Sequence, residues 1–259
     1  PARRTPPPAP GTRSDVRVVR GVVTHALVRG EGRDLVIVPG IGCAAFVYDR
    51  LADALAPHFR VWSYDPPSHG RSGDAPPGGL RISRLTDHLA AWMREVGLTD
   101  AVVLGHSLGG EVAIDLAARS GELVSRLVLL APTGVPDNPV LTLQLARLAV
   151  DAPRERPGLL ARVWASYARC GPLNIVRIAA DQRHHLTSPL LPLVRSPTLV
   201  VRGENDPAIR RDAVRTLCRL LPDVREERAP GAHAFWYPSA ALVAGLVRDF
   251  TADLAPGHD

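Results

Sequence analysis

The chain has 259 residues, 46% apolar and 22% charged, which is enough for one large globular domain with a substantial core. Its net charge is +5 and it contains no lysine, so every basic residue is arginine. The arginines are scattered, without a dense basic run or interleaved aromatics, which argues against a nucleic-acid partner.

No apolar run is long enough to span a membrane, and no charged-then-apolar leader precedes the first strand pattern, so the cytoplasm is the expected compartment. Cys43, Cys170 and Cys218 are widely spaced with no C-x-x-C pair, which suggests reduced thiols and neither a disulfide framework nor a zinc site.

Residues 1–14, PARRTPPPAPGTRS, are proline-rich and nearly free of bulky apolar side chains, the composition of an extended tail. VRVVRGVVTHALVRG then predicts two strands around Gly21. DLVIVPG (34–40), FRVWSYD (59–65), AVVLG (101–105), RLVLLAP (126–132) and TLVVRG (198–203) are short, nearly continuous apolar runs ended by turn residues. Helical spacing fills the intervals over 44–56, 82–96, 110–119, 208–221 and 238–254. In 82–96, for example, Ile82, Leu85, Leu89, Trp92 and Val96 share one face. Buried strands alternating with amphipathic helices predict an α/β fold, a mostly parallel twisted sheet with helices on both faces. Residues 135–195 break this alternation with helical patterns and no strand. They are longer than a crossover needs, so they read as a small helical cap. The core is then 15–134 with 196–259.

Gly105-His106-Ser107-Leu108-Gly109-Gly110 stands where the strand AVVLG meets the next helix. A serine on so sharp a turn projects its hydroxyl outward, and small neighbours let strand and helix approach. The Leu108 amide falls at a helix N-terminus, where developing negative charge is stabilised. A serine hydroxyl needs a base, and the base needs an orienting carboxylate. Asp206 follows the strand TLVVRG, and His233 follows the short strand VREER, so both emerge with Ser107 at one sheet edge. Asn205, Asp212 and Asp137 compete for the role of acid. His106, beside the serine, and His184-His185, in the cap, are the other histidines near the expected site.

These segments resemble the α/β-hydrolase superfamily, and the likeness covers nearly all of the chain after the tail. VPGIG (38–42), YDPPSHGRSG (64–73), GHSLGG (105–110) and the Asp206 and His233 loops carry it. The resemblance implies a serine hydrolase with Ser107, Asp206 and His233 as catalytic triad and the amides of Ile41 and Leu108 as oxyanion hole. YDPPSHGRSG resembles the family turn D-x-x-G-H-G-x-S, so Asp65 and His69 read as structural; Ser68 stands where glycine is usual. Pro39 stands where relatives carry the histidine before the oxyanion glycine. Epoxide hydrolases and haloalkane dehalogenases carry an aspartate at the position of Ser107, and prolyl aminopeptidases a G-G-S-W-G elbow, so those relatives are excluded.

The implied chemistry is cleavage of an ester, lactone or thioester through an acyl-enzyme, with neither metal nor organic cofactor. Gly42, His106, Trp164, Tyr167 and Trp236 are candidates to line a pocket for a small apolar acyl substrate, and packing of the cap onto the sheet explains the aromatics equally well. A carbon–carbon bond hydrolase of the same fold and a slow-turnover ligand receptor are the alternatives.

Overall fold

The computed structural model describes residues 11–135 and 150–254. The tail up to residue 10, and Asp137, Leu141 and Leu145, lie outside the described residues. Eight strands form one sheet: β1 (Arg13–Val19), β2 (Val22–Arg29), β3 (Asp34–Val38), β4 (Arg60–Asp65), β5 (Ala101–His106), β6 (Val124–Leu130), β7 (Thr198–Gly203) and β8 (Val224–Ala229). Their spatial order is β1-β2-β4-β3-β5-β6-β7-β8. β2 pairs antiparallel with β1 and with β4, and all other pairs are parallel.

The apolar runs are buried on both sides, as a doubly covered sheet requires. The described α-helices are α1 (Asp49–Leu55), α2 (Ile82–Val96), α3 (Leu108–Arg119), α4 (Pro157–Cys170), α5 (Pro172–Gln182), α6 (Arg211–Leu220) and α7 (Ala240–Phe250). They cover the sheet in two groups, with α2 packed on α3 and α1 on α7. α2 buries Ile82, Leu85, Leu89 and Trp92 and stops at Gly97, whose left-handed backbone (φ 82°) ends it. Both outer strands carry charges, Arg13, Asp15 and Arg17 on β1 and Arg225, Glu226, Glu227 and Arg228 on β8, which discourages pairing with another sheet.

Three boundaries differ from the sequence expectation. β1 begins at Arg13, inside the stretch read as tail, because its backbone completes the ladder with Val28. The helix expected over 44–56 opens with a 3₁₀ turn at Ala45–Tyr48. The one expected from 208 starts only at Arg211, because the amides of Ala208 and Ile209 are bound by the Asp206 carboxylate instead.

Between β6 and β7 the described residues contain no strand. α4 and α5 follow each other directly, joined at Gly171, and are flanked by short 3₁₀ turns. Leu159, Cys170, Ile178 and Leu191 are buried here, whereas Trp164 and Leu173 are 69% and 60% exposed.

The 64–73 segment is a buried polar hub. Asp65 accepts from His25 Nδ1–H (2.8 Å) and from the amides of Ala45 (2.7 Å) and Arg71 (3.0 Å). His69 donates from Nδ1 to the Pro67 carbonyl (2.9 Å) and receives the Cys170 thiol at Nε2 (3.6 Å). Ser68 adopts φ 65°, the left-handed conformation that glycine would supply without strain, and its Oγ accepts the Ala75 amide (2.9 Å). The hub joins β2, β4 and the turn before α1. Asp65→Ala orphans three donors, so it lowers unfolding free energy by about 3 kcal/mol or more in urea titration. A loss below about 1 kcal/mol would contradict the structural role.

Candidate active site

Strand register aligns the ends of β3, β5, β6, β7 and β8 at one edge: Val38 opposes Gly105, His106 opposes Leu130, and Gly203 opposes Ala229. Ser107 sits on this edge with φ 55° and ψ −122°, a conformation that costs a non-glycine residue energy. Its amide donates to the Leu130 carbonyl (3.0 Å), and its carbonyl accepts from the amides of Gly110 (2.9 Å) and Thr133 (3.3 Å). A Cβ on Gly105 would strike the Gly109 carbonyl, and one on Gly109 the carbonyls of Val38 and Pro39. The glycines are therefore required by contact between strand and helix.

Asp206 and His233 meet as expected. His233 donates from Nδ1 to Asp206 Oδ2 (3.0 Å), and Asp206 Oδ1 accepts the amides of Ala208 (2.7 Å) and Ile209 (3.0 Å). Burial pushes the Asp206 pKa up, but His233 and these two amides outweigh it and hold the carboxyl below its ordinary value. Burial pushes His233 down, but Asp206, assisted by Asp151 and Glu155, raises it above the ordinary imidazole value. Among the described residues, neither Asp212 nor Asn205 is paired with His233. Asp212 is exposed and pairs with Arg210, and Asn205 is exposed with its amide on the Gly231 carbonyl.

The amides of Ile41 and Leu108 have no backbone acceptor among the described residues. The neighbouring Gly40 amide, by contrast, is used: it donates to the Tyr48 hydroxyl (2.9 Å). That hydroxyl donates in turn to His106 Nδ1 (2.8 Å), and His106 Nε2–H reaches the His233 carbonyl (3.3 Å). One chain of hydrogen bonds thus links the loop after β3, the elbow and the base loop. Tyr48 thus ties the loop after β3 to the elbow. His106 is pushed down to about 3 by burial and by His233, so it stays neutral in this chain.

The pocket candidates separate. Tyr167 lies against Gly42, where a Cβ would come within 2.9 Å of the ring. His106 is buried with both nitrogens engaged, and Trp236 is 1% exposed and stacked on Tyr48 (centroids 4.4 Å apart), so both are packing residues. Trp164 is exposed and edge-on to Tyr167. His185 lies 3.9 Å from Asp115 on α3. Among the described residues no group of three His, Cys, Asp or Glu side chains could hold a metal ion.

The segment after β6 reaches the loop after β3, helix α3 and the base loop. Ser166 Oγ donates to the Gly42 carbonyl (2.8 Å), and Arg162 donates to the Phe46 carbonyl (2.7 Å) and Asp49 (2.9 Å). Gln182 donates to the buried Glu111 of α3 and to Thr133 Oγ1 (3.0 Å). Asp151 and Glu155 accept the amides of His233 (3.2 Å) and Ala234 (2.8 Å). Sequence reasoning missed Tyr48, Asp151 and Glu155, because their contacts span 8 to 82 positions and no local motif marks them.

A mostly parallel eight-stranded sheet with a strained serine at the β5–α3 joint, and a histidine–aspartate pair from later loops at the same edge, defines an α/β-fold hydrolase. The chain belongs to the alpha/beta hydrolase family, whose model matches residues 35–246. A pimeloyl-(acyl-carrier protein) methyl ester esterase of Nitrosomonas europaea is 30% identical over 229 residues, 78% of this chain and 88% of its own. The RutD protein of Rhizobium rhizogenes is 29% identical over 168 residues, and this chain spans 62% of its length. The esterase of Exiguobacterium antarcticum shares the fold with a TM-score of 0.81 at 16% identity, over 93% of this chain and 100% of that one. No helix among the described residues is long and apolar enough to cross a membrane.

The raised His233 value sets a pH expectation. If His233 serves as a general base it must be neutral, so kcat/KM falls as pH drops through its pKa, and the acid limb lies above the ordinary imidazole range. Asp206→Asn removes the charge that raises His233, moves this limb to lower pH and reduces kcat by about 10³-fold or more. An unmoved limb would contradict the pairing.

Proposed function

We propose that this chain hydrolyses a carboxylic ester, lactone or thioester with a small apolar acyl group, through an acyl-enzyme on Ser107. The observation that carries the reading is the Asp206–His233 pair: it occupies Nδ1 and leaves Nε2 to take the serine proton. Ser107 Oγ then attacks the carbonyl carbon, and the amides of Ile41 and Leu108 receive the oxyanion. Protonated His233 gives its proton to the leaving group. It next takes one from water, whose oxygen attacks the acyl carbon; the adduct collapses as His233 returns that proton to Ser107 Oγ, which releases the acid and restores free serine and neutral His233. Asp206 keeps the required tautomer and stabilises the imidazolium.

Cleavage of an ester is favoured over a carbon–carbon bond by the methyl ester esterase relative, which aligns over most of both chains. Residues 135–195 serve as the cap, and the bonds of its described part to the loops after β3 and β8 and to helix α3 support that role. Tyr167 over Gly42 bounds the acyl side of the pocket.

A series of aryl esters of increasing acyl length tests both parts. Wild type hydrolyses them, and Ser107→Ala folds but loses about 10³-fold or more in kcat. Tyr167→Ala changes the chain-length preference more than the rate on aryl acetate, whereas Trp164→Ala, at an exposed position, leaves the profile flat. Turnover that survives in Ser107→Ala would refute the acyl-enzyme, and a flat profile in Tyr167→Ala would place the acyl pocket elsewhere.

A further inference from the structure

The catalytic histidine is held from two sides. Asp206 holds its ring, and the cap holds its backbone. Asp151 Oδ1 accepts the His233 amide (3.2 Å) and Glu155 Oε1 accepts the Ala234 amide (2.8 Å). Both acids lie just before α4; Asp151 is 4% exposed and Glu155 is half-buried. A buried carboxylate is costly unless its hydrogen bonds are kept, and buried Asp151 and half-buried Glu155 take two consecutive amides.

We propose that Asp151 and Glu155 are positioning residues, a carboxyl clamp by which the cap fixes the His233–Ala234 backbone and thereby aligns the base with Ser107. The inference rests on reading His233 as the base. The His233 and Ala234 amides belong to the two peptide planes that flank the His233 Cα, and fixing both planes sets the direction of the His233 side chain. The carbonyl of the same residue is held by His106 from the elbow. Base and nucleophile are therefore in register when the cap turn is seated on the loop, and displacement of this turn releases the base. A misplacement on the order of 1 Å costs up to about 10²-fold in such a step.

The clamp also carries charge. Burial, together with the charge of Asp151, pushes Glu155 up to about 7 against the opposing effect of the Ala234 amide. The charged and titratable groups facing the base loop are Asp206 after β7, His106 at the end of β5, Asp151 and Glu155 in the cap, and Arg50 of α1, which lies 4.8 Å from the Tyr237 ring centre. Arg154, between the two acids, is turned to the Val150 carbonyl. Ionised clamp carboxyls favour the imidazolium, so their neutralisation lowers the His233 pKa.

The test compares Glu155→Ala, Glu155→Gln and Asp151→Asn in the full chain on an aryl acetate, after wild type and Ser107→Ala have established serine-dependent turnover. Glu155→Ala lowers kcat about tenfold with KM changed less than about twofold, because alignment and not binding is lost. Glu155→Gln retains a carbonyl oxygen for the Ala234 amide and restores kcat to within about threefold of wild type. In Glu155→Gln and Asp151→Asn the acid limb of kcat/KM moves to lower pH. Wild-type kcat in Glu155→Ala, or a glutamine variant no better than alanine, would overturn the clamp. If Glu155→Ala does not fold, the two isosteric variants decide, and an unmoved acid limb in both would overturn it. Wild type without serine-dependent turnover would sink the hydrolase reading and the clamp with it.

Discussion

Close approach of backbone to backbone at the end of β5 is the constraint on which the site depends. β5 lies between β3 and β6 and passes directly into α3, so the first turn of the helix is wedged against the end of β3. Only glycine fits at 105 and 109, and the chain can reverse only if Ser107 takes a positive φ. That strain is held by three backbone bonds, to Leu130, Gly110 and Thr133. A serine so held needs no reorganisation to present its hydroxyl, and the adjacent Leu108 amide is already at a helix N-terminus.

Around this joint the loops are tied by polar side chains. Tyr48, fully buried, receives the Gly40 amide and reaches His106, which continues to the His233 carbonyl. With the Gly40 amide engaged at Tyr48, the Ile41 amide keeps no backbone acceptor among the described residues. Neutral His106 suits this work, since a second imidazolium 5.0 Å from His233 would weaken the base. The stacking of Trp236 on Tyr48 fills the space beneath, which explains why the aromatic run beside His233 packs and does not line the pocket.

The apolar runs of β3, β5, β6 and β7 were legible because a sheet covered on both faces leaves no polar alternation. The pairing of Asp206 with His233 was legible because parallel strands deliver their following loops to one edge. Tyr48, Asp151 and Glu155 were not, because each acts through a backbone amide brought close only by the fold, and no local pattern encodes an acceptor for an amide 82 positions away. The helix start at Arg211 was missed for a related reason: Asp206 claims the amides that would otherwise open the helix. Trp164 shows the limit of composition. An aromatic on an amphipathic helix reads as buried, yet in the 157–170 helix the buried side chains are Leu159, Ser166 and Cys170.

The central claim is that the strained serine at position 107 is the nucleophile. It is tested most directly by treating the full chain with a serine-directed fluorophosphonate and mapping the modified peptide by mass spectrometry. The account predicts one adduct, on Ser107, lost in Ser107→Ala and slowed by about 10²-fold or more in Asp206→Asn, because the reagent needs the same activated hydroxyl. An adduct on another serine with Ser107 unmodified would contradict it.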